Sequence, residues 1–176
     1  ARQSIAGLFG KQDPGQVERL RKKASSRILD QVRGTFVTLH KKGALRGCIG
    51  TIESREPIWE SVMSNARHAA CRDTRFSPMR ASELALVQIE VSVLTRPEPL
   101  EFDTPEDLIR RLDPHVDGVI LEKGLSRATF LPQVWEQLDA PGSFLAQLCL
   151  KAGLHRDEWM HGNLTVKTYQ VQRFDE

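Results

Sequence analysis

The chain lacks most of the features that announce a function. No run of 18 apolar residues occurs among its 176, so no membrane span is expected, and no secretory leader is recognised. There is no G-x-x-x-x-G-K-[ST] and no G-x-G-x-x-G, so neither common phosphate-cradling loop is present. Net charge is only +2. The one dense basic run, Arg19–Lys23, has no interleaved aromatics and reads as a solvated helix face, so no nucleic-acid partner is expected. The three cysteines, Cys48, Cys71 and Cys149, are too few and too odd in number for a disulfide framework, and a reducing cytoplasm is the expected compartment. Cys48 and His68-x-x-Cys71 supply three possible ligands, where a structural zinc takes four. No metal and no cofactor is expected.

What remains is an ordinary globular composition, 40% apolar and 27% charged. It suits a single domain spanning 1–176. Ala1, Ile5, Leu8 and Phe9 fall at helical spacing and read as the back half of a helix. Asp13-Pro14-Gly15 signals a turn, and Gln16–Lys23 a short charged helix with Val17, Leu20 and Ala24 as its apolar edge. Residues 25–33 read as irregular or extended. Gly34–His40 and Leu45–Ile52, joined by Lys41-Lys42-Gly43-Ala44, predict an antiparallel hairpin. Pro57–Arg72 predicts a helix with Ile58, Val62, Ala66 and Ala69 as its stripe; Asn65, His68 and Arg72 lie off it.

Further on, Val87, Ile89, Val91 and Val93 alternate with polar residues, the mark of a half-buried strand. Glu90 is then solvent-facing or paired across a sheet. Arg96–Pro99 reads as a stiff link, and Thr104-Pro105-Glu106-Asp107 as a capped helix start. A second hairpin is expected across Gly118–Leu121 and Arg127–Leu131. Helices are expected from Pro132 and over Ser143–Ala152, and a last strand over Leu164–Val171 before a charged tail. Trp59, Trp135 and Trp159 read as core or interface anchors. Hairpins interspersed with helices predict α+β, with mostly antiparallel sheet and flanking helices.

The unusual stretch is Leu45–Ile52, LRGCIGTI, a strand-like run holding a thiol between two glycines. Glycine inside a strand marks a bulge or a close approach to the backbone. Strict alternation would put Arg46 and Cys48 on one face, with Gly50 beside them. A guanidinium there would favour the reactive thiolate, making Cys48 a nucleophile or redox thiol. The competing reading is a small apolar filler, since unpaired cysteine is among the most buried residue types. His68 is a weaker candidate partner for Cys48. Asp73-x-Arg75-Phe76 is a second cluster, in a loop after a helix: Asp73 is free to pair with Arg75 or Arg46 across a cleft, or the loop is simply pinned by Phe76 and Pro78.

The order of motifs is familiar. TFVTL, LRGCIG, AACRDTRFSPM, IEVSVLT, FLPQVW, and LCLKAGL followed by tryptophan resemble the AMMECR1 domain family from about Thr35 to the C-terminus. Departures are modest: Cys71 and Thr74 replace commoner residues. The resemblance implies a two-lobed α+β fold, with a larger lobe from both termini and a smaller one from the middle, roughly 50–90. It implies a cytosolic protein that works with a Memo-like protein and a radical SAM protein. It places the functional site at LRGCIG, hence Arg46, Gly47, Cys48 and Gly50, and at Asp73, Arg75 and Phe76. The family implies no settled activity. A module binding a small molecule or partner protein, and a cysteine-dependent transferase or hydrolase, both stay open.

Overall fold

The computed structural model describes residues 1–23, 27–161 and 163–176. It is α+β, with two four-stranded antiparallel sheets. Ala24, read above as a helix edge, and residues 25 and 26 lie outside the described residues. The chain divides into one unit of residues 1–94 with 172–176 and a second of 95–171. The division therefore falls at 95 and 171, not at roughly 50 and 90, and the 50–90 segment belongs wholly to the first unit.

In the first unit, strands β1 (Thr35–Lys41), β2 (Ala44–Thr51), β3 (Val87–Leu94) and β8 (Val171–Asp175) form a sheet in the order β2-β1-β3-β8. Helix α1 (Arg2–Gly7) packs against helix α3 (Ile58–Cys71), which lies on β1 and β2. Val37, Leu39, Val87 and Ile89 meet Ile5, Ala66, Ala69, Ala70 and Met79 in one buried cluster. Three alanines on α3 keep its backbone close to the sheet. Helix α2 (Pro14–Lys23) begins where a turn was expected: Asp13 Oδ1 accepts the Gln16 N–H at 3.0 Å, and Pro14 takes the first helical position.

The second unit orders its strands β4-β7-β5-β6, with β4 Glu98–Pro99, β5 Gly118–Lys123, β6 Ser126–Phe130 and β7 Thr165–Tyr169. The stiff link thus contributes a two-residue edge strand. Helices α4 (Pro105–Arg111) and α5 (Pro141–Lys151) complete it. Thr104 Oγ1 caps α4 through the Asp107 N–H at 3.2 Å. Trp135 stacks on Phe144 with ring centroids 3.7 Å apart, and Trp159 joins the same core. The helix expected from Pro132 is a short 3-10 turn, Pro132–Glu136. The strand expected over Leu164–Val171 is β7, and the charged tail after it, from Val171, forms a further strand, β8, in the other sheet.

Gly47 is one of the tightest points of the first unit. A Cβ built there would sit 2.2 Å from the Ala69 carbonyl oxygen on α3. At Gly50 it would sit 2.2 Å from the Phe36 ring. The close approach read from the two glycines is thus made by the protein's own helix and ring. Gly47→Ala is expected to destabilise the chain by about 1–3 kcal/mol, since backbone must move. Urea unfolding measures this, and an unchanged midpoint would contradict the packing.

Candidate functional site

The LRGCIG segment is β2, an edge strand. Its register with β1 pairs Thr38 with Cys48 and Leu39 with Gly47, then jumps so that His40 meets Leu45. Arg46 is the extra residue of a β-bulge. The bulge breaks the alternation that would set Arg46 beside Cys48. Its guanidinium goes instead to Glu83, with Nε 3.1 Å from Oε1 and Nη2 3.0 Å from Oε2. Lys41 Nζ reaches the same carboxylate at 2.7 Å, and the Arg80 N–H donates to it at 2.9 Å. Hydrogen bonds from Arg46, then from Lys41, hold the Glu83 carboxyl well below the usual carboxylate range.

Cys48 faces away from α3, because its neighbour Gly47 faces the helix and strand side chains alternate. Thr38 pairs with Cys48 on one side and Glu90 on the other, so the three form a row across that outer face. The Thr38 hydroxyl donates to Cys48 Sγ at 3.4 Å. Cys48 is half-buried, neither a sealed core residue nor a fully presented thiol.

The cation at Cys48 is Arg75. Asp73 Oδ2 accepts the Cys48 N–H at 2.8 Å, and Arg75 Nη2 donates to the Cys48 carbonyl at 3.3 Å. Asp73 and Arg75 are joined by Nε to Oδ1 at 2.9 Å and Nη2 to Oδ2 at 2.7 Å; the Arg75 N–H adds 3.1 Å to Oδ1. Together they close the edge groups of one β2 residue, a task a neighbouring strand would otherwise perform. Hydrogen bonding from Arg75 chiefly, with the Cys48 and Arg75 amides, keeps the Asp73 carboxyl far below its ordinary value despite burial. Conversely, hydrogen bonding to Asp73 raises the Arg75 pKa. Arg75 stays 56% exposed, with its guanidinium carbon 5.6 Å from the Phe76 ring centroid.

The structure thus joins Cys48, Asp73, Arg75 and Phe76 and separates Arg46 from them. His68 lines a pocket with Thr51, Ser64 and Asn65, a lining that does not include Cys48. Burial first, then Arg72 and Arg67, pulls the His68 pKa down, so its imidazole is neutral at neutral pH. Sequence reasoning missed Glu83 and Thr38; register alone identifies Thr38, whereas nothing local marks Glu83. Among the described residues no cluster of three metal-ligating side chains occurs, and no helix is long and apolar enough to cross a membrane.

Asp73 and Glu83 both titrate lower in the native state than in the unfolded chain. The stability they add is complete above their unfolded values, about 4, and disappears as pH falls through the native ones. Asp73→Asn and Glu83→Gln are each expected to lower stability at pH 7 and to flatten its acid dependence. Urea midpoints from pH 7 downward test this; variant curves parallel to the parent would refute it.

The AMMECR1 family model matches residues 1–174. A protein of Methanothermobacter thermautotrophicus is 42% identical over 154 residues, covering 85% of this chain and 78% of the relative. One of Thermofilum pendens is 42% identical over 163 residues, covering 84% and 75%. The crystal structure of uncharacterized protein PH0010 from Pyrococcus horikoshii superposes with a TM-score of 0.84 at 34% identity, covering 99% of this chain and 87% of that one. With nearly its whole length matched by the family and its fold shared with PH0010, this chain belongs to the AMMECR1 family.

Proposed function

We propose that the chain is a binding module whose recognition surface is the corner formed by Cys48, Arg75 and Phe76. It holds a small molecule or a partner protein of the Memo-like or radical SAM class, and acts in the cytoplasm. The observation that carries this reading is the Asp73–Arg75 bracket across the Cys48 peptide. It fixes the strand edge and leaves a half-exposed guanidinium above an aromatic ring, a pairing suited to recognition. Among the described residues no histidine or carboxylate hydrogen-bonds the Cys48 thiol; its partner is the Thr38 hydroxyl. A general base is what nucleophilic catalysis would want there. Cys48, Cys71 and Cys149 are all unpaired thiols, which suits a reducing compartment.

One observation favours the alternative, a cysteine-dependent transferase or hydrolase: the Arg75 guanidinium sits 3.3 Å from the Cys48 carbonyl, which brings a cation to the residue that carries the thiol. The two readings separate on Cys48→Ser and Phe76→Ala. Binding to purified Memo-like and radical SAM proteins, followed by calorimetry on the full chain, should survive Cys48→Ser and weaken by about tenfold in Phe76→Ala, an interface aromatic being worth over 1 kcal/mol. Loss of affinity on Cys48→Ser with the fold intact contradicts the binding module. Alkylation of Cys48 well below the pH at which a free thiol reacts, about 8.5, would favour the enzyme.

A further inference from the structure

The first unit carries a pocket of about 360 Å³ that the Cys48 corner does not use. Helix α3 builds one wall with Ser64, Asn65 and His68, a spacing that places them on one helix face. Thr51, at the end of β2, and the loop residues Glu53, Arg55 and Glu56 line the pocket as well. Ser54 Oγ bonds both the amide and the carbonyl of Glu56, each at 3.0 Å, which shapes that loop.

Asn65 is the informative residue. It is 4% exposed and lines the pocket. Its Nδ2 donates to the Thr35 carbonyl at 3.1 Å, to Thr35 Oγ1 at 3.0 Å and to Ser61 Oγ at 3.4 Å. A backbone carbonyl only accepts, so the nitrogen must lie on that side. The amide oxygen is then the end left for the pocket, and among the described residues nothing donates to it. This oxygen is open to the pocket, and a ligand that displaces water from it has to supply a donor in return. The lining carries charge of both signs: the Arg55 guanidinium, with no ion-pair partner among the described residues, and the Glu53 and Glu56 carboxylates. The His68 imidazole, in the same lining, offers one donor and one acceptor.

We propose that this pocket binds a small zwitterionic amino-carboxylate of the free α-amino-acid class. The ammonium donates to Asn65 Oδ1 and neutralises Glu56; the carboxylate takes the Arg55 fork. An apolar molecule would leave the Asn65 acceptor unpaired. A simple anion would use only Arg55, and a simple amine only the carboxylates, whereas a zwitterion engages both. The pocket volume lies within the range for small-molecule sites, about 300–1,000 Å³, which leaves room for a side chain. This site stands apart from the Cys48 corner, and neither reading needs the other.

The test is titration of the full chain, followed by calorimetry and amide NMR, with L-serine and L-glutamine against acetate, ethanolamine and glycerol. The expected result is binding of at least one amino acid at about millimolar or tighter, with the amide signals of Ser64, Asn65 and His68 moving. The two half-molecules and the polyol should bind about tenfold more weakly or worse, the loss of one charged hydrogen bond. Arg55→Gln and Glu56→Gln, both on exposed residues, should each cost about the same factor with unfolding midpoints unchanged, while Cys48→Ser leaves affinity alone. The proposal is overturned if neither amino acid moves those signals, if acetate, ethanolamine or glycerol binds as well, or if both loop variants bind like the parent.

Discussion

The carbonyl oxygen of Ala69 lies over Gly47 at a distance no side chain on β2 would permit. That contact sets the depth at which α3 rests on the sheet, and Ala66, Ala69 and Ala70 keep the rest of the interface equally thin. Because the helix ends at Cys71, its depth also decides where the next residues emerge. Asp73 comes out level with the Cys48 amide and Arg75 level with the Cys48 carbonyl. The edge of β2 is closed by side chains only because two backbones first come together.

Two carboxylates then do different work on the same strand. Glu83 collects Arg46 and Lys41 at the bulged end of the hairpin, where each long side chain is largely withdrawn from water. Burying such a charge is costly unless it is fully paired, and Glu83 is paired four ways. Asp73 is likewise saturated, but its partner Arg75 remains half in solvent. The first node is a structural tie. The second fixes backbone and at the same time displays a cation beside Phe76 and the Cys48 thiol.

The polar groups behind the strand make a third arrangement. Thr35, Ser61 and Asn65 form a fully buried network between β1 and α3. It orients the Asn65 amide so firmly that one of its ends has to face outward. A network placed there for packing thus dictates what chemistry the adjoining pocket can offer.

Local chemistry determined a good deal of this. β-Branched runs, Gly43 at the turn, Pro57 before a stripe of alanines and Thr104 ahead of Pro105 each specify a short-range structure, and strands and helices fall within a residue or two of where those signals put them. The sequence also singled out LRGCIG and D-x-R-F. What it could not determine was anything set by distant partners. Strict alternation misplaced Arg46, because a bulge depends on the register with β1 and on Glu83, 37 residues away. The glycines announced a close approach but not that the approaching group is the chain's own helix. The charged tail gave no strand signal, because β8 owes its form to lying beside β3 rather than to any pattern of its own residues. Short-range preferences act through neighbouring atoms and are written in the residues themselves; which cation meets which carboxylate is decided only when separate segments compete for the same space.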